Sequence, residues 1–155
     1  METTLIIKNL NMKSALIFGA ALFLATGCKT KSPMKLASPA IEETYWKLVE
    51  VNGNPVSLPS DAKTIYLVLK KEGGRAQGFG GCNGFGGSYE LLSGNRIRFS
   101  QVISTMMACD HLDIENQFLK VLQTADNYNL VENQLVLNRA RMAPLARFEA
   151  VKSID

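Results

Sequence analysis

The sequence predicts an α+β domain: a curved, mostly antiparallel β-sheet packed against a single helix over about residues 111–125. Three observations carry this expectation. From Thr44 onward, short apolar runs alternate with period two between turn residues, the pattern of half-buried strands. One segment alone, Ile114 to Ala125, carries an apolar stripe at helical spacing. The order is several strands, one helix, several strands, without the regular βαβ alternation of a parallel sheet.

The first strand is TYWKLVEV, closed by the turn Asn52-Gly53-Asn54-Pro55. The second is TIYLVL, with Ile65, Leu67 and Leu69 on one face and Tyr66 and Val68 on the other, before the turn Lys71 to Gly74. A strand through Ala76 and Phe79 leads into a glycine cluster. Ser88–Leu92 and Arg96–Ser100 read as a hairpin about Gly94-Asn95, a dipeptide suited to positive φ angles. In the helix, Ile114, Phe118, Val121, Leu122 and Ala125 form the stripe, and Glu115, Asn116, Lys120 and Gln123 fall on the wet side. Asp110 or Asp113 is expected to cap its start. A second hairpin pairs Tyr128–Val131 with Gln134–Leu137 about Glu132-Asn133, and Pro144–Val151 supplies a last strand.

Ahead of this domain the chain changes character. Met12-Lys13-Ser14 and the apolar run Ala15–Leu24 form a short positive n-region and an h-region, ending in Leu24-Ala25-Thr26-Gly27-Cys28. About ten apolar residues reach roughly half of a bilayer core of about 30 Å, so this is a leader and not a permanent span. Its end is similar to a lipobox, with Ala25 at the position where Leu is usual. The expected division is a lipoprotein signal peptide over 1–27, with Met12 as an alternative start, cleavage before Cys28 and lipidation there. A flexible tether rich in Lys, Ser and Pro follows over 28–43, then the domain over 44–152. Acyl chains would anchor it through about 0.8 kcal/mol per buried methylene.

Charge and composition exclude some classes. The formal charge of the 155-residue chain is +3, and losing Lys8, Lys13 and Glu2 with the leader lowers it to about +2. Apart from Lys70-Lys71 the basic residues are scattered, with no Arg-rich stripe interleaved with aromatics, so no nucleic-acid partner is expected.

The cysteine count is odd: Cys28, Cys82 and Cys109. With Cys28 assigned to lipid, Cys82 and Cys109 are left to pair in an oxidising envelope, where a loop of that span adds about 3–4 kcal/mol in the chain-entropy model. Two alternatives stay open: a metal site of Cys82, Cys109, Asp110 and His111, for which one histidine and no Cys-x-x-Cys make a poor zinc set, and two free buried thiols.

Residues 78–90, GFGGCNGFGGSYE, place six glycines in ten positions. A phosphate loop would open a helix and carry Gly-Lys-Ser or Gly-Lys-Thr; here the chain continues as a strand, so a bulge or sharp bend is the expectation. No nucleophile elbow, His-Glu-x-x-His or second histidine is present, and no enzymatic activity and no cofactor are expected. His111 and Glu115 lie one helical turn apart, a spacing that usually marks a surface or capping pair. Met106-Met107 suggests either soft-metal ligation or, more ordinarily, one Met packed and one exposed. Trp46 reads as a core anchor.

Together these landmarks resemble the META domain family, which includes the HslJ-type heat-inducible lipoproteins of bacterial envelopes. The matching pieces are Trp46-Lys47-Leu48 with Asn52-Gly53, then Gly81-Cys82-Asn83-Gly84-Phe85-Gly86-Gly87-Ser88-Tyr89. They continue with Thr105-Met106-Met107-Ala108-Cys109, Glu115 with Phe118-Leu119 and Leu122, and Asn133 to Leu137. The resemblance spans about residues 44–149, and Gly86-Gly87 departs from its usual glycine spacing. It implies a compact α+β domain in an exported protein linked to envelope stress, with no enzyme active site. The expected function is a non-catalytic accessory or binding module. It would be held by its lipid at the outer membrane, on the periplasmic or surface side, with an unknown envelope protein as partner. The alternative is a carrier or pilot for a lipid or other apolar ligand held between sheet and helix.

Overall fold

A computed structural model describes residues 38–141 and 143–154. The leader, Cys28 and most of the expected tether lie outside the described residues. Nine strands and one α-helix follow in order: β1 (Tyr45–Val51), β2 (Asn54–Pro55), β3 (Tyr66–Lys70), β4 (Arg75–Phe79), β5 (Gly84–Leu92), β6 (Arg96–Ser104), α1 (Leu112–Thr124), β7 (Asn127–Val131), β8 (Gln134–Asn138) and β9 (Ala146–Val151). Every strand pairing is antiparallel, so the α+β expectation holds.

The sheet curves until its ends meet. β1 pairs with β3 on one side and with β9 on the other, from Tyr45↔Val151 to Val51↔Ala146, so eight strands form a ring and β2 folds back on the end of β1. The ring is weakest between β6 and β7, which share only Arg96↔Asn127; α1 links these two strands and packs mainly on β6. Pairing of β1 with β9 removes the two edges that an open sheet would leave there for aggregation.

Period-two alternation decides what fills the ring. Trp46 and Leu48, Leu67 and Leu69, Phe85 and Tyr89, Ile97 and Phe99, Leu135 and Leu137, and Phe148 all point inward and are buried. Phe118 of the helix meets Phe85 edge-on at 5.4 Å and Phe148 at 5.8 Å, tying α1 to opposite walls. The sheet, the helix and the whole core cluster lie within residues 41–151.

Turns follow their chemistry. Asn52 and Gly53, and Gly94 and Asn95, hold positive φ in two of the hairpins, as those residue types permit. Contacts begin before Thr44: Trp46 Nε1 donates to Ile41 O, Thr44 Oγ1 to Ala40 O, and the Glu43 amide to Leu69 O.

Several sequence expectations are corrected. The helix runs Leu112–Thr124, as expected, but its N-cap is His111 and no side chain caps it, so neither Asp110 nor Asp113 serves. Its buried face is Glu115, Phe118, Val121 and Leu122, with Ile114 only half-buried, because the carboxylate finds donors in the core. The strand expected from Ser88 begins at Gly84, and the one expected to end at Ser100 reaches Ser104, since the glycine segment pairs on through a bulge.

Candidate functional site

Two backbone amides and one side-chain amide of the glycine-cysteine segment converge on one buried carboxylate. After β4 the chain bends sharply at Gly81–Asn83 before entering β5. Two glycines make the bend possible. Gly81 sits at φ +129, and a Cβ on Gly80 would lie 2.7 Å from Glu115 Cγ and Oε2. The bend brings the backbone amides of Cys82 and Asn83 to bear on Glu115 Oε2, at 3.0 and 2.7 Å. Asn83 Nδ2 donates to Glu115 Oε1 at 2.7 Å and to Met107 O at 2.9 Å. On its other side Asn83 Oδ1 accepts from Thr105 Oγ1 at 2.9 Å and from the Met107 amide at 2.8 Å.

This arrangement explains a burial that would otherwise be costly. Glu115 is 2% exposed and Asn83 1% exposed, and an unpaired polar group at such depth costs several kcal/mol. Here Asn83 uses both of its ends and the carboxylate meets only N–H donors, the pattern of an ionised acceptor. No buried side-chain oxygen or nitrogen among the described residues lacks a partner. The Cys82–Cys109 disulfide closes the same unit, fastening the bend to the segment just before α1. Asn83, Thr105, Met107 and Glu115 therefore lock three distant pieces together: the bend, the β6–α1 loop and the first turn of the helix.

The other sequence-derived residues distribute around this lock. Phe85 and Phe118 form its apolar floor, and Gly84 opens β5 at the surface. Gly87 lies at the bulge where β5 and β6 shift register, against Ser100 O and Val102, between which Gln101 holds φ +54. Trp46 is fully buried in the core. Tyr89 belongs to the ring interior, away from the lock; its hydroxyl donates to Glu42 Oε1 at 2.6 Å. Burial and that hydrogen bond to a carboxylate both push the phenol well above its ordinary pKa. Met106 and Met107 are both exposed, at 98% and 63%, which corrects the expectation that one is packed. The lock holds Met107 by its backbone and leaves its side chain outside.

Sequence reasoning missed Gly80, Glu42 and the Met107 backbone, and it put Glu115 on the wrong face. A signal for Glu115 was present: positions 115, 118 and 122 share one helical face with Phe118 and Leu122. The metal grouping of Cys82, Cys109, Asp110 and His111 does not form, because both sulfurs are bonded to each other. Nor does Glu115 face His111 as a tuning partner, since its oxygens are taken by Cys82 and Asn83.

Outside the lock, an open groove of about 570 Å³ runs over Gly84, Gly86, Ile103 and Thr105. A smaller one of about 280 Å³ lies beside it over Thr105, Met106, Met107 and Leu112, with Asn83 and Glu115 of the lock at its floor. These grooves form the accessible surface of the site.

The fold and lock define a small ring-shaped α+β domain with a disulfide-braced carboxylate–asparagine core. The META domain family model matches residues 39–152. The chain belongs to the META domain family. Among solved structures it is similar to a protein from Burkholderia xenovorans determined by NMR, with 27% identity over 73% of this chain and 85% of that one, and a TM-score of 0.59. A second protein solved by NMR is 23% identical over 70% of this chain and 89% of its own, with a TM-score of 0.55, a likeness of fold alone. No curated protein matches the chain.

Proposed function

We propose that this META domain protein is a non-catalytic accessory or binding module of the bacterial cell envelope, linked to envelope stress and tethered to the membrane through lipid on Cys28. The observation that carries the non-catalytic reading is how the family residues are used. Asn83, Thr105 and Glu115 spend their hydrogen bonds on one another and the backbone, although all three border the smaller groove. A carboxylate placed for proton transfer must reach the proton it abstracts, whereas both oxygens of the buried Glu115 are taken by N–H donors of the protein. The membrane tether rests on the sequence: the apolar run Ala15–Leu24 ends at Cys28, and the family match begins only at residue 39. The carrier alternative would put an apolar ligand between sheet and helix, where Phe118 packs against Phe85 and Phe148. The accessory reading is therefore preferred.

Incorporation of labelled palmitate in intact cells, compared with a Cys28→Ala variant, tests the anchor. Label on the natural chain and none on the variant is expected. Equal label on both, or none on either, overturns it. In-cell cross-linking of the tethered domain then identifies the partner. Turnover of an envelope substrate that disappears in a Glu115→Gln variant retaining its fold would overturn the non-catalytic reading.

A further inference from the structure

Three large exposed apolar side chains, Ile103, Met106 and Met107, gather at one end of the outer side of the ring. The register places Tyr45, Val68, Gln77, Gly86 and Ile103 in one outward row across β1, β3, β4, β5 and β6, in which Val68 is buried, Tyr45 half-buried and Ile103 exposed. The adjacent row holds Tyr66, Phe79 and Gly84. Beyond it lies the loop with Met106 and Met107. Of five large apolar side chains exposed among the described residues, Ile103 (73%), Met106 (98%) and Met107 (63%) fall in this one region, while Leu92 and Val131 lie elsewhere. Such clustering marks an interaction surface, unlike scattered single residues. The two grooves lie within it, because Gly84 and Gly86 present no side chains between the Phe79 and Ile103 ridges.

Two observations say what covers this face. The first is charge: Lys63 lies over the Phe79 ring, 5.8 Å from its centre, and Lys70 and Arg75 occupy the next outward row. Two carboxylates, Glu43 and Glu72, border a groove beside Lys70 and Arg75; Glu43 is taken up by Lys70 Nζ and the Lys71 amide. Lys63 and Arg75 have no carboxylate partner among the described residues. The second is the tether. Among the described residues, Ala40 is the first whose backbone accepts a hydrogen bond, and the chain enters β1 at Tyr45, inside the row of Ile103. Twelve residues after Cys28 reach at most about 40 Å, less if not extended. On the tethered reading, this keeps the face within a domain's width of the bilayer.

We infer that the outer face of β3–β6, with the Met106–Met107 loop, docks on an anionic lipid surface. The apolar side chains enter the headgroup boundary, and Lys63 and Arg75 meet the lipid phosphates. The inference rests on the tethered reading for its setting, but the contact belongs to the domain and is measured without the anchor.

The experiment uses residues 38–155, which contain the sheet, the helix and the whole core, in sedimentation with two kinds of vesicle. One is phosphatidylethanolamine with phosphatidylglycerol, the other phosphatidylcholine. Partition into the anionic vesicles is expected, weakening at least fivefold at high salt. Ile103→Glu combined with Met106→Glu should lower it at least tenfold without changing the melting temperature, while Val131→Glu leaves it unchanged. Absence of partition, or an equal loss with Val131→Glu, overturns the inference. So does a dimer in light scattering that the Ile103→Glu, Met106→Glu variant dissolves, since the face would then be a protein interface. Failure of palmitate labelling at Cys28 would remove the tether and leave the vesicle result standing, so the two readings fail separately.

Discussion

Replacing Glu115 by Gln keeps the volume of the side chain and removes its charge, which isolates the electrostatic part of the lock. The carboxamide has one acceptor where the carboxylate has two. If its oxygen serves the Cys82 and Asn83 amides, its NH2 group faces Asn83 Nδ2, donor against donor; the opposite flip turns it on the two amides. Bonds to a charged group contribute about 1.5–3 kcal/mol and neutral ones about 0.5–1.5, so two weakened bonds lose about 2 kcal/mol. One buried donor left unsatisfied adds about 1–3 kcal/mol. The expected destabilisation is about 3–5 kcal/mol, a large fraction of the roughly 5–15 kcal/mol that holds a domain folded. Urea unfolding followed by the fluorescence of the single, buried Trp46 measures it directly. The midpoint should fall at unchanged slope. A Glu115→Ala, Asn83→Ala double-mutant cycle should show coupling above about 1 kcal/mol, as expected of residues in one network. A loss below about 1 kcal/mol in the Gln variant would refute the argument that this carboxylate locks the fold.

The remaining predictions concern the parts around that lock. Alkylation before reduction should leave Cys82 and Cys109 unmodified, and the Cys82→Ser, Cys109→Ser variant should unfold about 3–4 kcal/mol more easily; two modified thiols in the unreduced protein contradict the pairing. Gly80→Ala should cost about 1–3 kcal/mol by overpacking against Glu115, whereas Gly86→Ala, with nothing within 4 Å of the new methyl, should stay within about 0.5 kcal/mol in the same titration. Asp126 is held below the usual carboxylate range, first by the Ala140 amide and then by Asn127. Its contribution is present above the unfolded aspartate value and lost as pH falls through the lower folded value. Melting temperatures at acid pH should therefore fall less steeply in Asp126→Asn, and identical slopes would remove this residue from the account.

How much of this was legible in the sequence depended on the range of the interaction. Strands with clean alternation, such as Ile65–Leu69 and Gln134–Leu137, are local patterns, and so are hairpins marked by Gly94-Asn95 or Asn52-Gly53. The pairing of β1 with β9 joins residues about a hundred positions apart, and no local signal marks it, so the sheet was read as curved and its closure was not. Glu115 was placed on the wet side because a carboxylate in a helix normally belongs there. Its donors come from Cys82 and Asn83, 33 and 32 residues upstream, on a bend that only the folded chain brings near. The same holds for Glu42, whose partner Tyr89 is 47 residues away. Met106 and Met107 were misjudged for a related reason: their apolar character says nothing about a loop that the lock holds by its backbone.

The intact mass of the chain extracted from the envelope fraction tests the central claim most directly. The account requires a polypeptide beginning at Cys28, heavier by its acyl chains and lighter by the two hydrogens of the Cys82–Cys109 bond. A chain that starts at Met1 or Met12, recovered from the cytosol without fatty acid and with three reduced thiols, would contradict it.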